Sequence, residues 1–464
     1  MQWISGTLEL TSKVRYGMSS HGNPLFRFVP YDRRWSPFAV ASSIRDFSTN
    51  IHAIIEPIES KSSMPKGSIV QLLGQPSDHT EKAMLMMSYA YDSNKDLRKI
   101  IPSPLSTFCA DEREKVEGFT FHIDPPGCKD VDDAFTFRKE GDTWIVYIHI
   151  SDVDAWISPS SLTDSVAKKR ATTFYSLDGK ALAPMFPPNI SEESASLLPG
   201  SAKPALSLRF TWTPGHPVED VRWVKTLIVC NRSFTYEEAS SLQSIPELAA
   251  LREVSRSLSA DPYDWDDTHR WVESMMIFYN THAGTLLRDH GKGILRRHSA
   301  KKSELLSKIG ESGLSFLGMS AAEYVDATDE NVAHAGLKKN AYAYATSPIR
   351  RYCDLVNQRC IKEILHSSTP LTVDIPALVV ELNRRQKQEK AFTRDLFFMN
   401  VLSGPAKKVE GIAVSAKRVW IPVWKRCITV RTGVVEGERY GITWYENKSL
   451  PHWKERIVFR AERA

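Results

Sequence analysis

The stretch Asp124-Pro125-Pro126-Gly127-Cys128-Lys129-Asp130-Val131-Asp132-Asp133 constrains this chain most, because it sets four carboxylates around a Pro-Pro-Gly break. Pro125 and Pro126 have no backbone donor, so a strand ending near Ile123 must stop and loop here. Gly127 supplies the freedom to fold back, and Ala134-Phe135-Thr136-Phe137 resumes a strand pattern. Asp130, Asp132 and Asp133 thereby return towards Asp124. Like charges about 4 Å apart cost roughly 4 kcal/mol per pair at an effective dielectric near 20, so packed ionised carboxylates need cations. Hard oxygen donors favour Mg²⁺ or Mn²⁺. The plain alternative is an acidic surface loop. Against it, the cluster lies between apolar segments, Phe119–Ile123 and Trp144–Ile150, as a loop at the end of core strands would. A calcium-binding helix-loop-helix fails on spacing, since counting from Asp130 puts Phe135 where the tight-turn glycine is required.

A second block, Thr346-Ser347-Pro348-Ile349-Arg350-Arg351-Tyr352, predicts a helix start with Ser347 as N-cap and Pro348 as the first helical residue. Two arginines then sit in the first turn, where the helix dipole disfavours cations. A phosphate would resolve that conflict, held by free backbone donors and a guanidinium. An Arg350–Asp354 surface pair is the alternative.

Elsewhere the pattern is more ordinary. Residues 1–90 give short strands punctuated by Gly and Pro, at 6–10, 24–30, 52–55 and 67–74, which suggests a small barrel. Trp3, Tyr16, Phe26, Phe28, Tyr31, Trp35, Arg33 and Arg34 could stack on and hold a single strand, or simply form the barrel core. A polar connector at 92–96 precedes the central body. Residues 164–174 look helical, and His149 fits a buried structural role. Over 271–290, Val272, Met275, Met276, Tyr279, Ala283 and Leu286 repeat at helical spacing and predict a helix with a core stripe. Residues 404–464 return to strands, with Lys407, Lys408, Lys417, Arg418, Lys425, Arg426 and Arg431 interleaved with Trp420 and Trp424, a pattern that fits a single-strand-binding barrel.

With Asp124 and Asp130-Val131-Asp132-Asp133, then His149-Ile150-Ser151-Asp152-Val153, then Thr346 to Tyr352, the chain resembles the ribonuclease II (RNB) superfamily of exoribonucleases. The wording Asp-Pro-Pro-Gly-Cys is closest to the eukaryotic branch that includes the exosome catalytic subunit. The resemblance implies a mixed α/β chain, in which an α+β catalytic domain (91–403) is flanked by small OB-type β-barrels, a cold-shock type at 1–90 and a short one at 404–464. It implies a single cold-shock barrel ahead of the body, no amino-terminal nuclease domain, and hence a weaker grip on RNA or reduced processivity. It further implies Mg²⁺-dependent 3′→5′ hydrolysis of single-stranded RNA to nucleoside 5′-monophosphates. Asp124, Asp130, Asp132 and Asp133 would hold about two Mg²⁺ ions, with Mn²⁺ as a substitute. Asp132 and Arg350 would be catalytic, Arg350 contacting the scissile phosphate. Tyr175 would clamp a base, and Tyr236 with Glu273 would read the terminal ribose hydroxyl. Three features of relatives are absent: Tyr344 stands where a family variant has histidine, Gln358 where histidine is also common, and Thr393 where some relatives have glutamate.

Bulk properties bound the rest. The 464 residues, 42% hydrophobic, suffice for a large core plus one or two small domains. A net charge of +5 permits nucleic acid as a partner without requiring it. The 6 cysteines are scattered without a close CxxC pair, which predicts no disulfide, no structural zinc and a reducing, intracellular compartment, the cytoplasm first. No run of about 18 apolar residues occurs, so no membrane partner is expected. An exosome-like protein assembly is not implied. Two rival readings are an RNA-binding protein on an inactive nuclease scaffold, which would need a broken metal ligand or a missing phosphate arginine, and a DNA exonuclease.

Overall fold

The computed structural model describes residues 3–32, 34–60, 62–89, 112–259, 265–299, 321–366, 372–402, 408–447 and 456–463. The expected connector at 92–96, Arg33, Lys407 and both expected domain boundaries lie outside the described residues.

Five strands, β1 (Ile4–Leu8), β2 (Leu25–Pro30), β3 (Phe38–Ala41), β4 (Ile51–Ile58) and β5 (Lys66–Gly74), close into a barrel in the order β1-β2-β3-β5-β4. Alternation along β2 turns Phe26 and Phe28 inward, where both are fully buried with Ile4, Leu8 and Ile55. Tyr31 is buried as well, against α1 (Asp78–Tyr89). These three aromatics are therefore core and not a platform for bases. The period-2 pattern of a strand selects one face for the interior, and aromatic content alone does not say which.

The central body is a seven-stranded sheet in the order β14-β7-β8-β9-β12-β13-β6. Its strands are β6 (Glu114–Lys115), β7 (Phe119–Ile123), β8 (Asp133–Glu140), β9 (Thr143–Ser151), β12 (Lys203–Trp212), β13 (Glu219–Ile228) and β14 (Arg232–Phe234), with a small hairpin of β10 (Phe174–Tyr175) and β11 (Ala181–Ala183) beside it. The middle pairs are antiparallel, while β14 runs parallel to β7 and β6 parallel to β13. Helices α2 (Leu162–Arg170), α3 (Tyr236–Ser241), α4 (Pro246–Leu258), α5 (Thr268–Asp289), α6 (Tyr352–His366) and α7 (Ile375–Leu402) follow in chain order, with the short pair β15 (Ile294–Arg297) and β16 (Glu323–Asp326) between α5 and α6. The buried stripe of α5, including Trp271, Met275, Tyr279 and Ala283, packs on the sheet; Tyr279 lies edge-on to Trp223 at 4.9 Å and donates to the Leu206 carbonyl at 3.1 Å. His149, fully buried between the Thr136 and Ser207 hydroxyls at 2.7 Å each, has its pKa pushed down to about 3 by burial, and is structural as its position in β9 suggests.

The last five strands, β17 (Val409–Ser415), β18 (Arg418–Ile421), β19 (Arg426–Thr429), β20 (Arg439–Glu446) and β21 (Ile457–Arg463), form an antiparallel sheet that stays open among the described residues. Trp420 is buried, and Trp424 sits among Phe397, Phe398, Trp444 and Phe459, fastening the sheet to the end of α7. The interleaved tryptophans thus serve packing. Both small sheets reach the body through one apolar cluster, in which Met84 and Leu85 of α1 meet Phe174 and Ala183 of the β10–β11 hairpin, Phe392 and Leu396 of α7, and Ile457 of β21. Among the described residues no helix is long and apolar enough to cross a membrane.

Candidate functional site

The acidic stretch turns as its residues dictate. Cys128 N donates to Pro125 O at 3.1 Å, with Pro126 and Gly127 at the two central positions and Gly127 at φ +76°. Proline followed by a left-handed glycine is what such a turn requires. The loop leaves β7 at Asp124 and re-enters the sheet at Asp133, whose register partner is Ile150. Ser151 N donates to Asp132 O at 2.8 Å, pinning the returning arm to β9.

Sheet topology then brings distant residues to this loop. Parallel pairing of β14 with β7 sets Phe234 beside Ile123, and Asp124 N donates to Phe234 O at 3.1 Å. The chain turns into α3 through a Thr235/Glu238 capping box, which places Tyr236 next to Asp124. On α5, Glu273, Met276, Ile277 and Asn280 share one face and line the opposite wall of a cavity of about 450 Å³. The other walls are Asp124, Asp133, Tyr236, Thr346, Ser347, Arg350 and Arg351, with His334, Tyr342 and Tyr344. Segment 342–346 lies against α5 because Gly284 has no side chain: a Cβ there would sit 2.7 Å from the Tyr342 backbone. Asn280 completes the seam, accepting from Ala345 N at 2.8 Å and lying 3.2 Å from the Thr346 hydroxyl.

The second block does not begin a helix at Ser347. The Arg350 and Arg351 N–H groups both close on Ser347 O, Tyr352 N donates to Ala171 O at 2.9 Å, and α6 starts at Tyr352. Pairing of 350–352 with residues 171–173 overrides the local Ser-Pro signal, so neither arginine stands in the first helical turn. Asp354 pairs with Arg351 at 2.7 Å, not with Arg350. Arg350 instead reaches the acidic loop, with Nε 2.9 Å from Asp132 Oδ2, while Ile349 N donates to Asp132 Oδ1 at 2.9 Å.

The four aspartates therefore have unequal surroundings. Asp132 is buried against Arg350, Asp130 accepts the Tyr175 hydroxyl at 2.6 Å, and Asp124 lies 2.8 Å from His122 Nδ1. Burial pushes Asp132 up to about 7, in spite of Arg350 and the Ile349 N–H. Asp133 is raised well above the usual carboxylate range by burial, with the Asp124 and Asp132 charges adding to it. No three of the described carboxylates, histidines and cysteines converge as a coordination set. Three of the aspartates have protein partners, Asp130 in Tyr175, Asp132 in Arg350 and Asp124 in His122, and Asp124 and Asp133 are the ones lining the cavity. One or two carboxylates, with water and phosphate oxygens completing the shell, is the set Mg²⁺ ordinarily takes, so the residues present fit such an ion.

Of the remaining expected residues, Tyr236 and Glu273 both line the cavity, but Glu273 is paired with Arg270 at 2.5 Å. Tyr175 stands outside the lining, its hydroxyl committed to Asp130. Sequence reasoning missed His122 and Asn280. Each left a signal: His122 is two residues before Asp124 on the same strand face, and Asn280 is a polar residue two turns beyond Glu273 along the helix face that also carries Met276.

Comparison with known proteins bears on the family and the fold. A model of the RNB domain matches residues 113–260 and 312–367. A probable exosome complex exonuclease of Caenorhabditis elegans is 25% identical over 409 residues, 68% of this chain and 42% of that protein. Ribonuclease R of Aquifex aeolicus is 25% identical over 393 residues, 67% of this chain and 56% of its own length. The chain thus spans about half the length of these relatives. Among solved structures, Mycoplasma genitalium RNase R in complex with ribose-methylated single-stranded RNA superposes with a TM-score of 0.79 at 14% identity, covering 99% of this chain and 90% of that one. Yeast Ssd1, a pseudonuclease, gives 0.73 at 18% identity, covering 96% and 67%. At such identities the structures speak for the fold. The domain match goes further and leads to one conclusion: residues 113–260 and 312–367 of this chain carry an RNB domain.

Proposed function

We propose that the protein is a Mg²⁺-dependent 3′→5′ exoribonuclease that shortens single-stranded RNA hydrolytically and releases nucleoside 5′-monophosphates. The observation that carries this reading is one cavity in which Asp124, Asp133, Tyr236, Glu273 and Arg350, drawn from four separate stretches of sequence, face one another. Asp124 and Asp133 would hold the metal, and Asp130 and Asp132 would join them for a second ion once Tyr175 and Arg350 turn to substrate. When bound, the metal supplies water activation and charge neutralisation at the leaving oxygen.

The chain's own groups do the rest. The Arg350 guanidinium, about half exposed, is placed to exchange one Asp132 oxygen for a phosphate oxygen and to stabilise charge developing there. Tyr236 and Glu273 offer a donor and an acceptor to a 2′-hydroxyl, which can itself donate and accept; a deoxyribose would leave the Tyr236 hydroxyl without that partner, while Glu273 keeps Arg270. Tyr175, tethered to Asp130, would hold the ring of a neighbouring base in place. The relatives named as exonucleases and the RNA-bound RNase R support the substrate class.

A specific observation favours a second reading, an RNA-binding protein on an inactive scaffold: two of the four aspartates are already satisfied by Tyr175 and Arg350, and the yeast neighbour is a pseudonuclease. One experiment separates them. Labelled single-stranded RNA is incubated with Mg²⁺ and wild type or Asp132→Asn, with an EDTA control and a DNA strand of the same sequence. Stepwise 3′ shortening by wild type alone, reduced about a thousandfold or more in the variant, supports the nuclease. RNA bound but left intact with Mg²⁺ and with Mn²⁺ establishes the binding protein instead.

A further inference from the structure

The first turn of α5 is built around two residues that the expected site does not use. Asp267 caps the helix, its Oδ1 accepting from His269 N at 3.0 Å, and the same oxygen lies 2.8 Å from His269 Nδ1. The helix cap therefore holds the imidazole down. That ring lies flat on Tyr236, with centroids 3.7 Å apart and planes within 10°. The backbone is tied in the same place, because the Thr268 hydroxyl donates to Tyr236 O at 2.9 Å. Tyr236 and Glu273 line the cavity, whereas His269 and Arg270 do not and back them from outside. His269 is 64% exposed in its side chain, so the stack is not explained by core packing.

We propose that His269 is a positioning residue for the 3′-terminal ribose: it covers a face of the Tyr236 ring so that the phenol meets substrate with its hydroxyl. This rests on the nuclease reading above and deepens it. An uncovered tyrosine face stacks on any base, and stacking is indifferent to the sugar. A hydroxyl whose ring is fixed within a few tenths of an ångström reads the 2′-position, because selectivity comes from an unpaired polar group when the partner is missing. Thr268 fixes the backbone beneath the ring and His269 fixes the ring, so the reader is oriented before RNA arrives.

The test compares two RNA strands that differ only in a single 3′-terminal deoxyribose. Cleavage kcat/KM is measured for wild type, His269→Ala and His269→Phe, and the affinity ratio for the two strands is measured with each His269 substitution placed in an Asp132→Asn background. In His269→Ala the preference for the ribose end falls about three- to tenfold, the range expected from losing one aromatic stack, and the deoxy-ended strand is cut no more slowly than by wild type. His269→Phe restores the preference, since a flat ring replaces the imidazole. The proposal is overturned if His269→Ala keeps the wild-type ratio, if it slows both strands alike, or if His269→Phe does not restore the ratio. A wild type that binds both strands but cuts neither removes the nuclease reading alone, and the affinity ratios then decide the role of His269.

Discussion

Two acidic clusters stand close together in this molecule and are neutralised in opposite ways. Behind β9, Asp152, Asp154 and Asp164 meet Arg113, Lys362 and Arg359: Lys362 Nζ lies 3.0 Å from Asp152 and 2.7 Å from Asp154, Arg359 bridges Asp154 and Asp164 at 2.7 Å each, and Arg113 closes on Asp152. Burial by itself would raise Asp152, but Lys362 and Arg113 outweigh it and hold the carboxyl below its ordinary value. At the cavity, Asp124, Asp130, Asp132 and Asp133 meet Arg350, the imidazole of His122 and the hydroxyl of Tyr175. There burial is not outweighed, and Asp132 and Asp133 are both raised. The first cluster locks α6 to the sheet and needs nothing from outside. The second is short of positive charge, which is the condition the proposed cation would relieve.

Breaking the balanced cluster has the largest expected effect. Arg359→Ala leaves the buried Asp164 and the partly buried Asp154 without their shared guanidinium and removes about 3–5 kcal/mol of stability. Urea unfolding measures this as a lower midpoint at unchanged slope; a loss below about 1 kcal/mol would mean that the network contributes little beyond packing.

The two clusters also differ in sign with pH. Asp132 has a folded pKa raised to about 7 from 3.8, so its contribution is complete below pH 3.8 and is lost as pH climbs through about 7. Asp152 is lowered from 3.8, so its contribution is complete above that value and is lost as pH falls below it. In metal-free protein, Asp132→Asn should therefore flatten the decline of stability between about pH 4 and 7, by on the order of 2–4 kcal/mol. Parallel curves for wild type and variant would show that Arg350 holds Asp132 ionised throughout.

The smallest effect sharpens the cation argument without any assay of cleavage. Mg²⁺ at ten times its dissociation constant should stabilise wild type by about 1.4 kcal/mol, read as a rise in unfolding midpoint, and Asp133→Asn should abolish that rise. An equal rise in both proteins would place the ion away from Asp133.

Much of this is legible in the sequence alone. The Pro-Pro-Gly turn, the ends of β7 and β8 and the core stripe of α5 follow from proline's missing donor, glycine's positive φ and a 3.6-residue period, all of which act within a few residues. What the sequence left open depends on partners far along the chain. Phe26 and Phe28 are core because barrel closure decides which side of β2 is inside. The helix expected at Ser347 begins at Tyr352 because backbone pairing with 171–173 competes with the local cap and wins. Above all, the order Asp124, Asp130, Asp132, Asp133 does not say which carboxylates are free. Arg350, Ile349, Tyr175 and His122 decide that, and only folding brings three of those four across the chain to the loop. Local sequence determined where the charges would gather, because backbone geometry is local; tertiary structure decided how they are neutralised, because Coulomb energy depends on distance in space.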